Sequence, residues 1–106
     1  MSSDTQFLYL TTTGRKTGLQ RIIEIWFVEF DGRVYLLAEH GFKAHWVQNI
    51  LRIPRVDFRI GERRWDALAR VLDSEQDRDT YLKVRQLARD KYGWGEGLPV
   101  EIQPLQ

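Results

Sequence analysis

The sequence predicts a small, mainly β domain in which an antiparallel sheet curls into a barrel with two helices at its rim. Three observations lead there. Short runs rich in branched and aromatic residues recur along the chain. Two of the breaks between them, Asp31-Gly32 and Gly61-Glu62, are two-residue hairpin signals, which join antiparallel neighbours. Only two segments carry helical spacing, and no strand-helix-strand alternation points to a parallel sheet or a dinucleotide fold.

The elements follow in order. Phe7 to Thr12 reads as a short strand, and Arg21 to Phe30 as a longer one whose apolar residues on both faces imply burial on both sides. Asp31-Gly32 turns the chain into the return strand Arg33 to Ala38. From Lys43 the spacing of Trp46, Val47, Ile50 and Leu51 fits a helix of roughly ten residues that Pro54 ends. Arg55 to Ile60 and Arg64 to Leu72 form a second hairpin, with Val56, Phe58 and Ile60 alternating against charged neighbours. Ser74 opens a second helix, with Asp77 three positions on as its capping box. Tyr81, Val84, Ala88 and Tyr92 lie along one face of that helix, and Gly93 and Gly95 stop it. The segment "LPVEIQ" supplies a sixth strand, giving the order β-β-β-α-β-β-α-β in one domain over residues 1–106.

Bulk properties limit the function. The 42% hydrophobic composition, with four Trp, four Tyr and five Phe, is ample for a core. A formal net charge of +1 provides no global field for nucleic acid or a membrane surface, so no nucleic-acid partner is expected and any anion must be met locally. With no cysteine, disulfides, thiolate metal sites and thiol nucleophiles are excluded. The beginning "MSSDTQFLYL" has no basic leader with a long apolar region, and no run reaches the ~20 apolar residues of a membrane span. A cytoplasmic protein that is not integral to a membrane is the expectation.

Recognisable catalytic signatures are missing. "GRKTG" lacks the spacing of a P-loop, there is no nucleophile elbow or HExxH, and His40 and His45 have no third ligand nearby, so no metal is expected. Hard chemistry, if present, belongs to a bound organic cofactor. Two constellations remain. In "TTTGRKTGL", Arg15, Lys16 and the Thr17 hydroxyl offer charge-assisted donors to a phosphate, and Gly14 and Gly18 permit close backbone approach; the alternative is an ordinary solvated turn. In "EHGFKAHWVQN", a polar loop feeds the N-terminus of the first helix, where Lys43, His45 and the flat wall of Trp46 suit a planar ligand bearing a phosphate. There the alternative makes Trp46 a core residue and Asn49 a solvated one. The charges of "IGERRWDALAR" and of the second helix read as solvated faces.

The stretches "LTTTGRKTGLQR", "WFVEFDGRVYLLA", "WVQNILRIPRVDFRIGERRWDALARVL" and "ARDKYG" together resemble the deazaflavin-dependent nitroreductase and quinone reductase family, whose fold is the FMN-binding split barrel. The similarity runs from about Leu8 to Ile102, and the pairing of Gly-Arg-Lys-Thr-Gly with Trp-x-x-Asn and Pro-x-Val is far more specific than either alone. The resemblance implies a site for the deazaflavin coenzyme F-420 and hydride transfer to a small acceptor such as a quinone or nitro compound. On matching positions, Arg15, Lys16, Thr17, Gly18 and Arg21 would meet the phosphate and acidic tail, and Lys43, Ala44, His45, Trp46 and Asn49 the ring or ribityl chain. It also implies a homodimer. The chain departs from the family's frequent Pro-Leu at Glu24-Ile25, and from its usual loop at His40 to His45, both beside the expected ring. FMN on the same barrel, or a non-catalytic carrier of a small anionic ligand, are the alternatives.

Overall fold

The computed structural model describes residues 6–105. Six strands, β1 (Phe7–Thr13), β2 (Gln20–Phe30), β3 (Arg33–Ala38), β4 (Arg55–Ile60), β5 (Arg63–Val71) and β6 (Leu98–Pro104), close into an antiparallel barrel in the order β1-β2-β3-β6-β5-β4. Two helices, α1 (His45–Arg52) and α2 (Arg78–Tyr92), complete the expected order. Closure through the β1–β4 pair, centred on Leu10 opposite Phe58, leaves neither strand as an open edge there.

Inside the barrel, Leu8, Leu10, Phe27, Leu36, Val56, Phe58, Val100 and Ile102 form the main core, and Ile50 of α1 plugs one end. A second cluster lies outside the sheet, where Val84 and Ala88 of α2 cover Val28 and Tyr35. The Asp31-Gly32 turn has φ of 56° and 77°, the pair of positive values that a type I′ hairpin demands.

The second helix begins later than its sequence signal. Ser74 lies in a turn, and α2 starts at Arg78 with Asp77 at its N-cap making no side-chain cap bond. The Asp77 carboxylate is drawn off instead by Arg70 (3.0 Å) and by the Asp73 N–H (2.8 Å), a stronger set of donors than one helix amide. The first helix is likewise shorter, because Gly41–Lys43 forms a 3-10 turn ahead of it.

The larger correction concerns β2, which is not buried on both sides. Only Phe27 and Val28 are buried along it, while Ile22 is 67% and Trp26 48% exposed. The cause is the unequal length of its neighbours. β3 pairs with β2 only from Phe27 to Phe30, so Gln20–Trp26 is held by β1 alone and its other edge faces a groove.

One buried polar network centres on Glu101 of β6. Glu101 is 5% exposed and accepts from the Tyr35 hydroxyl (3.1 Å), Arg33 (3.3 Å) and Arg70 (3.4 Å). Burial first, and then the adjacent Glu101 carboxylate, push the Tyr35 phenol above its ordinary pKa. A raised phenol pKa contributes stability that is complete below the ordinary value and is lost as pH rises through it towards the folded one. Urea unfolding should therefore show stability falling as pH rises above about 10, the ordinary phenol value, and Tyr35→Phe should flatten that slope. An unchanged slope in the variant would assign the alkaline loss elsewhere.

Candidate functional site

The groove left by the overhanging half of β2 has a volume of about 1680 Å³. That exceeds the ~300–1,000 Å³ of a typical small-molecule pocket and leaves room for an extended ligand. Its long wall is the free edge of Gln20–Trp26; one end is the Gly14–Thr17 turn, the facing side is Lys43–Trp46 with Asn49, and the far end is Ala88, Tyr92 and Trp94.

The turn end is built by local backbone bonds. The Gly18 N–H donates to the Gly14 carbonyl (2.8 Å), the Gly14 N–H to the Leu19 carbonyl (2.7 Å), and the Leu19 N–H to Thr17 Oγ1 (3.2 Å). Gly18 adopts φ 76°, a conformation that costs a β-carbon dearly. Lys16, Thr17 and Arg21 are exposed, and none of Lys16, Arg21 or Lys43 forms an ion pair with a described residue. Three uncommitted cations thus border one cavity in a chain of nearly zero net charge.

On the facing side, Ala44 caps α1 with no side-chain bond, so the first-turn N–H groups stay available and the helix presents its positive end. Trp46 is half-buried and packs on the barrel core with part of its ring at the groove. Asn49, read as solvated in one alternative, is instead 4% exposed, with its amide bonded to Arg15 and Thr12. The structure thus brings Arg15, Lys16, Thr17, Arg21, Lys43, Ala44, His45, Trp46 and Asn49 to one groove. Gly18 does not line it and serves the turn behind.

The far end was missed by sequence reasoning. Trp26 stacks on Tyr92 with ring centroids 4.3 Å apart and planes 3° from parallel. The Tyr92 hydroxyl accepts from the Phe27 N–H (3.1 Å) and donates to the Phe27 carbonyl (2.7 Å), standing where the β1–β2 ladder would have its next rung after Phe7–Trp26. Burial raises the phenol pKa of Tyr92, and burial likewise lowers that of Lys91, whose ammonium donates to the Phe27 carbonyl at 3.0 Å. The signal for this end was the length mismatch itself, since a long strand paired with a short return strand must overhang.

A six-stranded antiparallel barrel, opened along one strand edge into a ligand-sized groove, is a split barrel. The chain belongs to the F-420H(2)-dependent quinone reductase family, whose sequence profile matches residues 2–101. Among solved structures, an F-420-H2 dependent reductase (FDR-A) is similar at 28% identity and TM-score 0.69, covering 92% of this chain and 93% of that one. A chain described as a domain-swapped dimer is similar at 26% identity and TM-score 0.69, with coverage of 92% and 79%. HutZ, the heme storage protein from Vibrio cholerae, shares the fold at TM-score 0.80 with 17% identity, covering 97% of this chain and 84% of its own.

Proposed function

We propose that the groove binds reduced coenzyme F-420 and that the protein catalyses hydride transfer from it to a small acceptor such as a quinone or nitro compound. The observation that carries this reading is the convergence on one groove of the uncommitted cations Lys16, Arg21 and Lys43 with the Trp46 wall and the uncapped start of α1. This donor set fits the coenzyme. An acidic tail beyond a single phosphate uses more positive charge than a phosphate alone, which favours F-420 over FMN.

In this reading Lys16, Thr17 and Arg21 hold the phosphate and tail, assisted by Arg15. Lys43, Ala44, His45 and Trp46 flank the ring and ribityl chain, with Asn49 beneath them. Ile22 and Trp26, on one face of this strand, exclude water from one side of the ring. The bound coenzyme supplies the hydride; the chain supplies position and electrostatics rather than a nucleophile. Glu24 keeps a carboxylate at the same edge, where it disfavours anionic acceptors and leaves neutral quinones and nitro compounds.

The test is oxidation of chemically reduced F-420 by a soluble quinone and by a nitroaromatic compound, with and without the protein. The reading expects acceleration with at least one acceptor. No acceleration with either overturns it.

We also propose a homodimer, because the free edge and exposed apolar side chains of Ile22 and Trp26 leave β2 unfinished in one protomer, and a relative at 26% identity is described as a domain-swapped dimer. Light scattering after size exclusion should give twice the 12.6 kDa of the chain. A mass of one chain at micromolar concentration removes the dimer.

A further inference from the structure

The cationic turn and the helix that faces it come from distant parts of the chain, yet a ligand spanning both needs them at a fixed separation. The turn's own bonds, Gly18 to Gly14 and Gly14 to Leu19, close it on itself and do not reach α1. The side-chain hydrogen bonds that cross between the turn and α1 converge on Asn49. Its Oδ1 accepts both from the Arg15 backbone N–H (3.1 Å) and from Arg15 Nη1 (2.8 Å). Its Nδ2 donates to Thr12 Oγ1 at 3.2 Å, on the last inward-facing position of β1 before the turn. Asn49 stands one helical turn after His45 and Trp46, so the same rigid segment carries the wall of one half of the groove and the clamp on the other.

We infer that Asn49 is a positioning residue and not a ligand: it sets the Arg15 guanidinium and backbone at the groove and ties the anion end to the ring end. This rests on the reading of the groove given above. Oδ1 already holds two donors, Nδ2 is bonded to Thr12 and the residue is buried at 4% exposure, so a single Nδ2 N–H is all the amide has left to offer a ligand. Fixing Arg15 before a ligand arrives removes the rotamer cost of ordering a long cation on binding. The remaining guanidinium N–H groups make no hydrogen bond to a described residue and are free for an anion.

Two probes separate positioning from contact: F-420 itself, and its ring-and-ribityl fragment without phosphate or tail. Asn49→Ala should weaken F-420 binding by at least about tenfold while changing fragment binding less than about twofold, and it should cost less in an Arg15→Ala background than it does alone. Equal losses on both probes, or full additivity with Arg15→Ala, overturn the inference. A ligand-free readout stands beside these. Hydrogen exchange of the Arg15 amide should quicken at least about tenfold in Asn49→Ala and stay slow in Asn49→Asp, which keeps the acceptor, while the buried Leu10 amide remains slow in both. Unchanged Arg15 exchange in Asn49→Ala overturns the inference whatever the ligands do. If Asn49→Ala fails to fold, Thr12→Val removes the partner of Nδ2 and should quicken the same amide; an unchanged rate there is equally fatal. Should the native protein bind neither probe, the proposed function fails, and the exchange measurement still decides the role of Asn49.

Discussion

Replacing Lys16 and Arg21 together with glutamate should weaken F-420 binding by more than about a hundredfold and leave the fold intact. Each charge-assisted hydrogen bond lost costs about 1.5–3 kcal/mol, so two together cost at least about 3 kcal/mol before any repulsion from the new carboxylates. Both side chains are exposed and neither forms an ion pair with a described residue, so the native barrel loses no partner. The effect should shrink as salt rises, because exposed charges are screened over about 8 Å at physiological ionic strength. Calorimetry with a melting curve on the same sample checks both halves; affinity within about threefold of native returns "GRKTG" to an ordinary solvated turn.

Phe58→Ala should be the most damaging single truncation in the barrel. The side chain is 1% exposed, stacks on Trp65 at 5.0 Å and lies opposite Leu10 across the β1–β4 pair that closes the cylinder. Truncating a buried phenylalanine costs about 3–5 kcal/mol through lost transfer energy and the cavity left behind. For a domain of this size that lowers the melting temperature by at least about 12 °C. Leu51, 55% exposed on α1, is the control, and Leu51→Ala should stay within about 0.5 kcal/mol of native. A loss below about 1 kcal/mol for Phe58→Ala would mean that the core repacks around the gap.

Much of the barrel was legible because local signals agreed with the fold. Asp31-Gly32 demanded a type I′ hairpin and adopts one, and the alternation of Val56, Phe58 and Ile60 gave the correct inward face of β4. The start of α2 was misread because a side chain's partner is decided by tertiary neighbours. Asp77 sits at the right spacing from Ser74, but Arg70, seven residues earlier on β5, outcompetes the helix amide for its carboxylate. β2 was misread for a related reason. Apolar residues on both faces are shared by a strand buried on both sides and by one that borders a groove, and periodicity alone does not separate them.

The groove itself was legible in part. The Arg15 to Arg21 and Lys43 to Asn49 segments were singled out by charge and by resemblance, and the barrel brings them together. The environment of Asn49 was not readable, since its bonds to Arg15 and Thr12 span 34 and 37 residues of sequence. Tyr92 was read only as part of one face of its helix, yet its hydroxyl ends the β1–β2 ladder and its ring stacks on Trp26 at the groove. No local pattern encodes a contact across 65 residues.

The central claim is that the groove is built for a deazaflavin with an acidic tail. Parallel fluorescence and calorimetric titrations of the purified protein with F-420 and with FMN test it most directly. Micromolar binding of F-420 is expected, with FMN at least about tenfold weaker because it lacks the acidic tail that Lys16 and Arg21 would meet. Tighter binding of FMN, or binding of neither, would contradict it.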